Sequence, residues 1–128
     1  MAEIQIDKFH FKLDLSQPLY EQVVQQIRSS IAKGEISLGE KIPSVRELAQ
    51  ALKVNPNTVM RAYQELDRDG LTETRRGQGT FITTSDHIVQ SIRKALANEA
   101  IDQFFQKLQS LGFSKNEIEN LVREKGGQ

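Results

Sequence analysis

Apolar residues recur along this chain with two periods, and the changes of period divide it. After Pro18, residues Tyr20, Val23, Val24, Ile27 and Ile31 fall on one side of a helix that Gly34 closes, with Glu21 in its first turn where the helix dipole favours an acid. "ISLGEKIP" (36–43) then reads as a connecting loop. "SVRE" (44–47) is a capping box: Ser44 caps, Glu47 reaches back, and Val45, Leu48, Ala49 and Leu52 form the buried stripe of a short helix. Lys53 and Val54 lead to Asn55, a good N-cap, and to Pro56 at the first helical position, where its missing N–H costs nothing. In the next helix Val59, Ala62, Tyr63 and Leu66 recur at i, i+3, i+4 and i+7, and Gly70 supplies a left-handed stop. Two short amphipathic helices joined by such a turn make a helix-turn-helix.

Past Gly70 the period drops from 3.6 to 2. "LTETRRGQGTFITT" reads as a strand, a Gly-rich turn at 77–79 and a return strand through Phe81. Helix, helix-turn-helix and hairpin, in that order, predict a winged helix. Ahead of it, residues 1–17 are mixed, with a short alternation at Phe9, Phe11 and Leu13 that suits an edge strand or arm. From Ser85 the helical period returns through His87, Ile88, Ile92, Leu96, Ile101, Phe104, Phe105, Leu108 and Leu111, until Gly112 interrupts it. Ser114 with Glu117 is a second capping box, followed on one face by Ile118, Leu121 and Val122. The fold class is therefore mainly α with a small β-hairpin wing. It comprises a winged helix-turn-helix over 1–84 and a helical tail over 85–128. The tail is too small to hold an independent core. It is expected to pack on the winged helix or, in preference, on a second copy through Ile92, Leu96, Ile101, Phe104, Phe105 and Leu108.

Charge changes the picture by what it withholds. The 128 residues carry 17 Lys+Arg against 17 Asp+Glu, and up to residue 82 the balance is 11 against 11. Any surface for nucleic acid is thus a local patch without the support of overall basicity. Zero net charge also admits a rival reading, a winged helix used for protein–protein contact. Cysteine is absent, which excludes thiolate zinc sites and a cysteine nucleophile and fits a reducing cytoplasm. No long apolar run suggests a membrane span or signal peptide, so the expected location is cytoplasmic.

The helix beginning at Pro56 turns Asn57, Arg61, Gln64 and Arg68 outward, with Met60 at the margin. Asn57 suits bidentate pairing with adenine, Arg61 suits guanine or phosphate, and Thr58 suits a phosphate or a thymine methyl. Arg68, two or more turns further on, is suited at most to backbone contact. Ser44 and Arg46 stand at the start of the preceding helix, whose amino end points at the phosphate backbone in a helix-turn-helix. Arg75, Arg76, Gly77, Gln78 and Gly79 make a compact basic tip suited to a minor groove or to phosphates. "GQG" precedes a strand and lacks the rest of a dinucleotide fingerprint. His10 and His87 have no acid cluster at metal spacing, so no metal is expected, and no nucleophile–base–orienter set can be named. No cofactor is expected, and no convergent polar set points to a small-molecule effector.

"GEKIPSVRELAQALKVNPNTVMRAYQELDRDGLTETRRGQGTFI" (39–82) closely resembles the winged-helix domain of the GntR family of bacterial transcription regulators. The resemblance begins near "PLYEQVVQQIR" at 18 and covers about half the chain; the short helical tail looks like the YtrA-type subgroup. It implies a homodimeric regulator without a large effector domain, more often a repressor, reading an inverted repeat in double-stranded DNA. Within it Arg46 matches a backbone-contacting arginine, Asn57 and Thr58 the polar pair at the head of the recognition helix, and Gly77 and Gly79 the wing tip; Asn55, the cap of that helix, is a further candidate DNA contact. Pro56 and Met60 depart from the arginines that many members carry there, and Arg61 lies on the same face as Asn57.

Overall fold

The computed structural model describes residues 2–126 in ten elements, which fall into two compact units, Met1–Arg93 and Lys94–Gln128. The first unit opens with an antiparallel hairpin of β1 (Ala2–Ile6) and β2 (Phe9–Leu13). β2 turns Phe9, Phe11 and Leu13 inward and His10 and Lys12 outward, as the two-residue period requires. The expected edge strand is therefore part of the main core, and β1, which sequence patterning missed, is its partner. α1 (Leu19–Ala32) lies along β2 and buries Val23, Val24, Ile27 and Ile31. Two glutamines of α1 take the place of a neighbouring strand on the open edge of β2. Gln26 accepts from Lys12 N–H at 2.8 Å and donates to its carbonyl at 2.7 Å; Gln22 does the same at Asp14, at 2.7 and 2.9 Å.

The loop expected over 36–43 contains a two-residue strand, β3 (Lys41–Ile42). It pairs with β5 (Gly79–Ile82), which also pairs with β4 (Thr72–Arg75), so the wing is a three-stranded antiparallel sheet in the order β3-β5-β4. Two residues are too few to display a period, and only the long-range pairing reveals β3. Between β3 and β4 run α2 (Val45–Leu52) and α3 (Pro56–Arg68). Lys53 ends α2 in the left-handed conformation at φ 58°, and Val54 N–H reaches back to the Ala49 carbonyl at 3.1 Å. Leu48, Leu52, Val59, Leu66 and Ile82 complete one core with the hairpin and α1, against which Ile88, Val89 and Ile92 also pack. Arg28 of α1 is hydrogen-bonded to Asp69 and lies 3.7 Å from Glu65, fixing α1 to the end of α3.

α4 (Asp86–Ser110) carries the chain from the first unit into the second and ends at Gly112, φ 96°, where Phe113 N–H returns to the Leu108 carbonyl. α5 (Lys115–Gly126) starts at the predicted capping box: Ser114 N–H donates to Glu117 at 2.9 Å, and Glu117 N–H donates to Ser114 Oγ at 3.2 Å. Among the described residues of the second unit Ile118 alone is fully buried, while Ile101, Phe104, Leu111, Leu121 and Val122 are exposed. Among the described residues no helix is long and apolar enough to cross a membrane.

Candidate nucleic-acid interface

The head of α3 is built as its sequence predicts. Asn55 stands in extended backbone and its Oδ1 accepts from Asn57 N–H at 2.8 Å, so the Asn55 side chain is engaged in capping. Asn57 is exposed with its amide unpartnered among the described residues; Thr58 is half-buried, and Met60, Gln64 and Arg68 are exposed. Arg61 is exposed as expected, and it has a neighbour that the helical wheel does not show. It lies on the row Arg61–Glu65–Asp69 that runs beside α1, and its guanidinium sits 4.1 Å above the Tyr20 ring. That cation–π contact holds its charge at the edge of the exposed face.

α3 is anchored to the segment before α2 by one buried bond, Tyr63 Oη to the Pro43 carbonyl at 2.7 Å. Burial pushes the Tyr63 phenol well above its ordinary range, so it remains a donor. Tyr63→Phe is expected to leave that carbonyl unpaired and to cost about 1–3 kcal/mol in denaturant unfolding. An unchanged midpoint would show that the bond does not hold the two segments together.

At the amino end of α2 the capping box closes in both directions: Glu47 N–H donates to Ser44 Oγ at 3.1 Å and Ser44 N–H donates to Glu47 Oε1 at 3.0 Å. The Ser44 bonds, backbone first, hold the Glu47 carboxyl below its usual range, and the nearby Lys41 ammonium adds to this. Arg46, the second residue of α2, is exposed and makes no ion pair among the described residues.

The wing tip is a turn in which Gln78 N–H donates to the Arg75 carbonyl at 2.9 Å, with Gly77 at φ 77°. A type II turn needs a positive φ at that third position, and glycine supplies it. Arg76 and Gln78 are exposed at the turn. Arg75, expected at the tip, lies instead on the sheet, its guanidinium 4.3 Å over the Phe81 ring and its Nε 3.6 Å from Glu73. Lys41 was not among the sequence candidates. Its stem crosses Gly79 so closely that a Cβ there would stand 2.7 Å from Lys41 Cε. Its one sequence signal is a lysine three residues before the capping box; its place on the wing depends on strand pairing. Among the described residues no three His, Cys, Asp or Glu side chains are grouped to hold a metal.

Two capped helices, a free amide at the head of the second and a glycine-tipped wing suit a duplex groove. Residues 19–82 match the family model for bacterial regulatory proteins of the gntR family. The chain belongs to the GntR family of bacterial transcription regulators. Its GntR relatives include Bacillus subtilis YhcF, an HTH-type transcriptional regulator. YhcF is 44% identical over 103 residues, which span 80% of this chain and 85% of that one. The B. subtilis transcriptional repressor YtrA is 53% identical over 68 residues, 53% of this chain and 52% of YtrA. A GntR-family regulator from Listeria monocytogenes superposes with a TM-score of 0.77 at 35% identity, over 88% of this chain and 98% of its own. The DNA-binding domain of AraR, solved in complex with operator ORX1, gives 0.51 at 32% identity, over 65% of this chain and 100% of its own. GntR proteins are regulators and not enzymes, and the mainly helical fold with a small antiparallel wing is theirs.

Proposed function

We propose that this chain is a cytoplasmic transcription repressor that binds an inverted-repeat operator as a homodimer. One observation carries the reading: α3 presents the unpartnered amide of Asn57 at its capped amino end, in a chain of the GntR family. Asn57 is assigned base readout, with Thr58 and Gln64 beside it on α3. Ser44 and Arg46 at the head of α2, and Arg76, Gly77 and Gln78 at the wing tip, meet phosphates and groove edges. Asn55, Arg61, Arg75 and Gly79 complete the surface: Asn55 Oδ1 caps α3, the Tyr20 and Phe81 rings position the two guanidiniums with N–H groups left for phosphates, and Gly79 lets the wing backbone approach. The dimer rests on the tail, where Ile101 and Phe104 are exposed and Leu96, Phe105 and Leu108 half-buried; Ile92 is half-buried on the first core. A two-fold axis then places two recognition helices on two half-sites.

Selection of the full chain against a randomised duplex pool is expected to enrich an inverted repeat whose binding weakens steeply with salt. Asn57→Ala is expected to cost about 1–3 kcal/mol of operator binding and to relax preference at one base position per half-site. Equal loss on every sequence would remove Asn57 from base readout. A wild-type chain that enriches nothing and shows no salt dependence would turn this face toward a protein partner instead.

A further inference from the structure

The wing carries a cation that sequence patterning does not place there. Strand pairing sets Lys41, Phe81 and Glu73 in one row across β3, β5 and β4, with Gly79 and Arg75 as a pair two residues along. By the two-residue alternation these five positions share one side of the sheet. The other side carries Ile42, Thr72, Thr80 and Ile82, all buried, with exposed Thr74 at its outer end, so the row of Lys41 is the wing's solvent face.

The cations on that face are not equivalent. Arg75 is bound down over Phe81 with Glu73 beside it, which answers part of its charge. Lys41 is exposed and makes no ion pair among the described residues. Gly79, at φ 122°, has no Cβ, and the Lys41 stem occupies the space one would take. The stem is thus guided across the wing. An ammonium is a compact point charge that needs no fixed fork of acceptors, which suits a phosphodiester oxygen better than a base edge.

We propose that Lys41 is a backbone contact for the bound duplex: its ammonium neutralises a phosphate beside the wing, and Gly79 gives its stem a path. This rests on the reading of the chain as a DNA-binding regulator. Phosphate contact at this position holds the wing in register on the DNA and adds affinity without choosing sequence.

The test uses the full chain and the duplex enriched from the randomised pool, with fluorescence anisotropy across a salt series. Lys41→Gln is expected to weaken binding roughly three- to tenfold and to flatten the log–log salt slope by about one for each bound copy. Base preference should stay as in the wild type, and Lys41→Arg should restore both affinity and slope. Lys33→Gln, exposed at the end of α1, should change neither. Lys41→Gln with wild-type affinity and slope overturns the proposal, as does a change of base preference with the slope intact. A wild-type chain that binds no duplex refutes the DNA-binding reading itself, and the inference falls with it.

Discussion

Phe104→Asp is expected to convert the proposed dimer to a monomer in analytical ultracentrifugation and to weaken operator binding about a hundred- to ten-thousand-fold. The second half-site of an inverted repeat is filled at the effective concentration that dimerisation sets, and that advantage vanishes with the dimer. Phe104 is 44% exposed and lines a largely apolar groove of about 560 Å³ with Leu121 and Val122, while Ile101 stands 52% exposed nearby on the same helix. A carboxylate in such a groove, once covered by a second copy, is desolvated against a largely apolar surface, a cost added to the contacts the ring gave up. Circular dichroism of the variant should retain its helices, because Phe104 belongs to none of the buried core. An intact dimer at micromolar concentration would remove the tail from the interface.

Phe11→Ala is expected to lose about 3–5 kcal/mol of unfolding free energy, a large share of the 5–15 kcal/mol typical of a domain. Phe11 is 1% exposed, and its ring centroid lies 5.6 Å from that of Phe9. Truncation leaves a ring-sized void at the centre of the contact between β2 and α1. The cost combines the lost transfer energy with that void. Urea unfolding reads it directly. A loss under about 1 kcal/mol would make the hairpin a detachable arm, in contrast to the thick packing around these two rings.

The helix-turn-helix was legible because each of its boundaries is written in local chemistry. Ser44 and Glu47 bond only each other's backbone, and Asn55 caps two residues ahead, so no distant residue is needed to predict them. β1 and β3 were not legible for the opposite reason. Ile4 and Ile6 are half-buried because β2 holds them beside it and the core and α2 pack against them, and Lys41–Ile42 is a strand only because β5 returns to it. The site divides in the same way. A helical wheel gives the angle at which Arg61 leaves α3 but not the ring of Tyr20, on another helix, that its guanidinium meets. Asn57 has no such partner and stays where the wheel puts it. Lys41 enters the wing through cross-strand register, which periodicity within one segment does not contain. The two tail helices were separable at Gly112, because its positive φ and the Ser114 cap are both local.

The glutamines of α1 act as a ruler. Gln22 and Gln26 are one turn apart, about 6 Å along a helix, and the peptide groups they hold, at Asp14 and Lys12, are two residues apart, about 6.6 Å along a strand. The near match lets both amides seat at once only if the strand is in step with the helix. Each amide has a carbonyl that accepts and an NH2 that donates, so it matches the N–H and the C=O of one peptide group together. A slip of one residue would break both clamps and turn Phe9, Phe11 and Leu13 out to water while drawing His10 and Lys12 inward. Residues 2–14 thus owe their alignment to two side chains outside the strand, and the position of α1 is measured against the strand in return.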